Sequence, residues 1–191
     1  MNEDSITATE SAAAGAATSE AGRAGKYLTF RLAAEEYGLE ILKVREIIGM
    51  MNITHVPRTP DYIRGVINLR GKVIPVLDLR RKFGMDLTDD TDETCIIVAE
   101  VASGDDSVLM GVVVDAVSEV LDIQEDEIED APSFGTNIDT CFILGIGKVK
   151  NEVKILLDID EVMTTGDIDM LMEMGDNSKS SVMTKEEMET N

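Results

Sequence analysis

Gly38, Val44, Glu46 and Ile47 have the same mutual spacing as Gly111, Val117, Glu119 and Val120, and Gly65 precedes Asp78 just as Gly145 precedes Asp158. Short apolar patterns recur by chance, but two matches kept in the same order favour two copies of one unit arising by duplication. Each copy reads as about five short strands without a long helix. Tyr27 to Ala33 alternates: Leu28, Phe30 and Leu32 face one way and Tyr27, Thr29 and Arg31 the other, as in a half-buried strand. Ala34-Glu35-Glu36 turns the chain back into Tyr37 to Ile41. Val44 to Ile48 reads as a short helix or bend, and Met50 to Val56 as a strand ended by Pro57 and Pro60. Gly65 to Leu79 is a hairpin with Arg70-Gly71 at its tip. Asp78 opens a helical turn through Phe83, and Gly84 stops it.

In the second copy, Thr94 to Val101 and Val108 to Asp115 flank a turn at Ser103 to Asp106. Gly145-Ile146-Gly147-Lys148 reads as a hairpin turn. Ile159 to Met163, followed by Ile168, Met170, Leu171 and Met172, suggests a C-terminal amphipathic helix packed back on the strands. Many short strands with regular turns argue for small barrels or sandwiches, and closing a barrel removes the exposed edges that template aggregation.

A chain of 191 residues, 43% hydrophobic, can bury one full core or two small ones. With no Trp and 4% aromatic residues that core is aliphatic, and the eleven Met read as soft filler within it. Cys95 and Cys141 lie in separate apolar runs without a CxxC, which reads as two buried thiols in a reducing compartment. No stretch reaches the ~20 apolar residues of a membrane span. Residues 1–25, rich in Ala, Gly, Ser, Thr and Glu, lack the pattern of a secretory signal and read as a disordered tail, as do the acidic residues 175–191. A folded region over 26–174 in a cytoplasmic protein is the expectation.

A net charge of -21 argues against nucleic acid, whose phosphates call for Lys and Arg along a groove. The sequence also argues against an enzyme. His55 is the only histidine, and GxSxG, HExxH and Walker-type loops are absent. The acidic run Asp122 to Asp130 has no tight Gly turn for calcium and reads as solvated surface, so neither a metal nor a cofactor is expected. Thr88 to Glu93 reads as the linker between the halves. One feature stands out against the acidic background: Arg58, Arg64, Arg70, Lys72, Arg80, Arg81 and Lys82 crowd into one short stretch. Such an island creates a local field that an acidic partner can find.

The run Gly65-Val66-Ile67-Asn68-Leu69-Arg70-Gly71-Lys72-Val73-Ile74-Pro75-Val76-Leu77-Asp78-Leu79 resembles the signature segment of the CheW family, adaptors that couple bacterial chemoreceptors to a histidine kinase. Glu36 to Ile47 and Val112 to Leu121 continue the resemblance, which covers roughly residues 26 to 174. It implies a mainly β fold, two SH3-like five-stranded barrels side by side with short helices and a C-terminal helix. It also implies a non-enzymatic scaffold whose partners are the chemoreceptor cytoplasmic tip and the regulatory domain of a CheA-type histidine kinase. Asn68-Leu69-Arg70-Gly71 matches the family motif whose arginine helps form the contact surface. Arg64, Val44, Glu46, Val73 and Met170 complete the candidate contact set. An adaptor of a non-motility chemosensory pathway would need the same faces; a ligand-binding barrel is a more distant alternative that would need a deep polar pocket.

Overall fold

The computed structural model describes residues 22–132, 140–163 and 167. The first half of the chain forms β1 (Gly25–Leu32), β2 (Glu35–Glu40), β3 (Val44–Gly49), β4 (Ile63–Leu69) and β5 (Lys72–Asp78), then α1 (Leu79–Lys82). The second forms β6 (Cys95–Ser103), β7 (Asp106–Val114), β8 (Ala116–Ile123), a short β9 (Ile128–Glu129), β10 (Ile143–Val149) and β11 (Glu152–Leu157), then α2 (Ile159–Val162).

These strands make two sheets, ordered β3-β6-β7-β5-β4 and β8-β1-β2-β11-β10-β9. Each half therefore lends its opening hairpin to the other. The β6–β7 hairpin completes the first barrel, and β1–β2 completes the second. The duplication extends to the register. Gly38 sits opposite Leu156 in the parallel β2–β11 pair, and Gly111 sits opposite Val76 in the parallel β5–β7 pair. A bulge between Ile63 and Gly65 recurs between Ile143 and Gly145. The Thr54–Val66 bridge brings the segment after β3 onto β4, and β9 does the same on β10 through Glu129 and Ile146. The result is the mainly β, two-barrel architecture with few short helices that the sequence implied.

Three apolar clusters hold it. Ile67, Ile74, Val76, Ile96, Val98 and Val113 fill the first barrel. Tyr27, Leu121, Ile123, Ile128, Val149 and Leu156 fill the second. The largest lies between them, where Leu28, Phe30, Leu32, Tyr37 and Leu39 of the first hairpin meet Ile97, Ala99, Val101, Met110, Val112 and Val114 of the second. Successive residues of a strand point to opposite faces, so each swapped strand feeds a barrel interior with one face and the shared core with the other. This corrects the reading of β1 as half-buried: Tyr27 and Thr29, assigned to its polar face, are buried inside the second barrel. A four-ring stack, Phe30–Tyr37–Phe83–Phe142, runs through the shared region with centroids 5.9, 6.0 and 5.1 Å apart.

Other local readings also change. Val44 to Ile48 is a strand, not a helix or bend; only Ile41–Lys43 before it forms a helical turn. Met50 to Val56 makes one bridge, at Thr54, while Met50 and Ile53 pack against the first barrel's core. Gly145 to Lys148 lies inside β10, and the turn falls at Lys150-Asn151, both at positive φ. Cys95 is half-buried and Cys141 exposed, so they are not two buried thiols; Cys141 precedes the start of β10. The segment proposed as a C-terminal helix begins with α2 and buried Ile159, Val162 and Met163, and its continuation past Met163 lies outside the described residues apart from Asp167. Arg23 lies within the stretch that composition assigned to a tail, yet it bonds Asp130 at 2.6 Å and accepts from the Tyr27 hydroxyl through its carbonyl. Among the described residues no helix is long and apolar enough to cross a membrane.

Candidate protein-binding surface

The β4–β5 hairpin closes in two residues, Arg70 at φ 53° and Gly71 at φ 86°. Positive φ at both central positions matches the right-handed twist of the flanking strands. The Asn68 side chain accepts the Gly71 N–H at 2.9 Å and so pins the turn. Asn68 and Gly71 of the motif thus shape the tip, and Arg70 is what the tip presents.

Arg70 is not idle there. Its guanidinium donates two parallel hydrogen bonds to Glu46 on β3, at 3.1 and 2.9 Å, while 77% of the side chain remains exposed. So exposed a pair is worth about 0–1 kcal/mol. It orients the fork at little cost and yields it readily to another carboxylate. Val73 on β5 and Ile47 on β3 are each 45% exposed. Arg70 and Glu46 are therefore brought together, and Val73 and Ile47 are exposed on β5 and β3 of the same barrel. Ile47 was missed because the segment did not read as a strand, whose alternation would have turned it outward.

The remaining candidates are placed differently. Val44 is half-buried and packs against the shared core, which makes it first a core residue. Arg64 donates to both oxygens of Asp90 at 2.9 Å, with its side chain 24% exposed. The Arg64 hydrogen bond holds the Asp90 carboxyl below the usual carboxylate range, and Asp90 in turn raises Arg64. Arg64 straps the inter-half linker to the barrel and has no open fork. Met170 lies outside the described residues.

The cationic island is likewise largely neutralised from within. Arg80 grips Asp115, Arg81 lies 3.7 Å from Asp78, and Lys82 pairs with Asp167 at 2.8 Å. Arg58 and Lys72 make no ion pair among the described residues. The island as a broad field is thus corrected to a few exposed cations, Arg70 and Lys72 at the hairpin end and Arg58 in the loop before it. A shallow cleft of about 190 Å³ lies between His55, Pro60, Asp61, Arg64 and Arg81. Ligand pockets usually run to about 300–1,000 Å³, and both arginines here are already engaged, so the cleft does not support a ligand-binding barrel.

The Arg80–Asp115 clamp carries a pH prediction. Burial pushes the Asp115 carboxyl up, but the Arg80 fork and the Ala33 amide outweigh it and hold the group below its ordinary value. A depressed folded-state pKa adds stability that is fully present above the unfolded value of about 3.9 and lost as pH falls through the folded one. Asp115→Asn should therefore lower stability at neutral pH, and its denaturation curve should approach that of the wild type only in strong acid. A constant gap down to acid pH would remove Asp115 from that role.

An exposed arginine on a pinned hairpin tip, with exposed Val73 and Ile47 on β5 and β3 of the same barrel, is the kind of surface that suits contact with another protein. The model of the CheW-like domain matches residues 26–166. The chain is 38% identical over 140 residues to the chemotaxis protein CheW of Klebsiella aerogenes, covering 73% of this chain and 82% of that protein. It is 37% identical over 147 residues to the CheW of Bacillus subtilis, covering 76% and 91%. The crystal structure of the scaffolding protein TtCheW from Thermoanaerobacter tengcongensis superposes with a TM-score of 0.67 at 38% identity, covering 75% of this chain and 95% of that one. The chain belongs to the CheW family.

Proposed function

We propose that the protein is a chemotaxis adaptor that holds a chemoreceptor cytoplasmic tip and the regulatory domain of a CheA-type histidine kinase in one assembly, without chemistry of its own. It works in the cytoplasm, at membrane arrays reached through its partners. The observation that carries this reading is the tip of the β4–β5 hairpin, where a pinned two-residue turn displays Arg70 against Glu46, with Val73 and Ile47 exposed on strands of the same barrel. A carboxylate on a partner can take over the fork, and the flanking apolar side chains lose water on contact. Two faces on one rigid body raise the effective concentration of each partner for the other.

Co-sedimentation with receptor assemblies and kinase tests it. Arg70→Ala should weaken co-assembly by on the order of 1–3 kcal/mol, as a charged anchor near an interface centre does. Its melting temperature should hold close to wild type, since only an exposed pair is lost. Arg70→Lys should restore part of the loss, keeping charge without the planar fork. Arg81→Ala, whose guanidinium bonds the Asp61 carbonyl, serves as the comparison and should matter less. Full assembly and kinase activation by Arg70→Ala would discard this surface.

A further inference from the structure

Each barrel lacks two walls until the other half's opening hairpin arrives, and the chain forbids the nearer choice. Were β1–β2 to close on β3, β4 and β5, then β2 and β3 would run the same way in one sheet. Such strands need a crossover of a dozen or more residues, and only Ile41–Lys43 link these two. Asp115 alone links β7 to β8, so the second half is under the same limit. Between two copies no such link intervenes. A hairpin from one copy meets two open slots on another unfinished copy, one beside β8 and β11 and one beside β3 and β5.

The backbone does not tell these slots apart. Gly38 opposite Leu156 and Gly111 opposite Val76 give the two hairpins one register. The side chains do tell them apart. Two residues before these pairs, Glu36 lies beside Lys154 in the second barrel, and Leu109 beside Ile74 in the first. Lys154 is 4% exposed and is held by Glu36 and, at 2.6 Å, by Glu152. Ile74 is buried, and Leu109 packs on the core around it. A β1–β2 hairpin in the first barrel would press the Glu36 carboxylate onto Ile74. A β6–β7 hairpin in the second would set Leu109 beside buried Lys154. Both bury charge beside apolar groups. A second contact makes the same distinction. Phe30 and Ala99 hold matching places opposite Val117 and Val44, so Arg31 on β1 corresponds to Glu100 on β6. Arg45 on β3 pairs with Glu100, and in the wrong slot it would face Arg31.

We propose that Glu36, Lys154, Arg45 and Glu100 admit each hairpin to one slot only, and so keep copies of this chain from joining wrongly while they fold. A hairpin in the wrong slot displaces the right one, which is left to enter a third copy, and the error grows into open assemblies. Stability is a poor reason for the buried pair, because replacing both members by apolar residues is often neutral or better. Selection between two slots of one shape does call for charge, since a mismatch then carries a penalty.

This goes beyond the adaptor reading, and its test contains neither receptor nor kinase, so its failure leaves that reading standing. The full chain is refolded by dilution from denaturant over a range of concentrations and followed by sedimentation velocity. Wild type should return to the species it formed before unfolding. Arg45→Glu/Glu100→Arg keeps the native pair with its signs exchanged but makes the wrong contact, with Arg31, attractive. Arg45 is 54% exposed, so this variant should melt like the wild type. At high concentration at least about tenfold more of it should end in larger species. Adding Arg31→Glu makes the wrong contact repulsive again and should restore the wild-type yield. Glu36→Leu/Lys154→Ile should melt no lower than wild type and lose yield in the same concentration-dependent way. A reversed pair that refolds no worse than the wild type overturns the proposal, and so does a triple variant that fails to recover. A buried-pair variant that melts lower makes Glu36 and Lys154 a prop and removes them from it.

Discussion

Gly65→Ala should lower stability by about 3–5 kcal/mol in chemical denaturation, or leave no folded protein to measure. A Cβ built at Gly65 would stand 2.1 Å from the Thr54 carbonyl oxygen and 3.0 Å from the His55 Cα. The backbone there has φ +139°, where an L side chain is strained even in open space. Thr54 cannot move aside, because it exchanges two hydrogen bonds of 2.8 and 2.9 Å with Val66, and these bring the post-β3 segment onto β4. Accommodating one methyl group therefore means undoing that closure. Gly71→Ala is the contrast: φ is +86° with nothing within 4 Å of the new Cβ, so only turn strain of about 1 kcal/mol is expected. Equal melting temperatures for the two variants would refute the argument from closure.

Phe30→Ala should cost about 3–5 kcal/mol as well, and its unfolding should remain one transition. Phe30 has no exposed surface and stacks on Tyr37, so its loss leaves a hole in the shared core. That core joins strands from both hairpins, and each hairpin is also a wall of the other half's barrel. Neither barrel can loosen without the other. Tyrosine fluorescence in a Tyr37→Phe, Tyr62→Phe background, which leaves Tyr27 inside the second barrel as the reporter, and circular dichroism of the whole should give the same midpoint in denaturant. Two separated transitions would show that the barrels stand independently.

Strands were legible where apolar runs were bounded by turn residues, as in β1, β6 and the β4–β5 hairpin, although the two faces of β1 were not, since both are buried. The strand itself was missed at β3, where a bulge broke the period. The register of β3 shifts between Val44 and Glu46, which leaves Val44, Ile47 and Ile48 at helical spacing and hides the strand. The spacing matches revealed two copies but not which copy each hairpin would join, because pairing partners far apart in sequence leave no local trace. The same distance hid the fate of the basic residues. Glu46, Asp90 and Asp115 quench Arg70, Arg64 and Arg80 from 24, 26 and 35 positions away. The turn at Arg70-Gly71 could be read because its residues build it by local chemistry, whereas the part of Arg70 as a contact came from the resemblance of Asn68-Leu69-Arg70-Gly71 to the family motif.

The exchange of hairpins also governs how the chain emerges from the ribosome. When β5 has left the exit tunnel, β3, β4 and β5 still await β6 and β7, while β1 and β2 await strands made later still. The first barrel gains all its walls only after Val114, and the second only after Leu157. Neither half can therefore fold alone as it emerges, since each needs the other's opening hairpin. The β1–β2 hairpin in particular must travel with bare outer edges until nearly the whole double barrel is made.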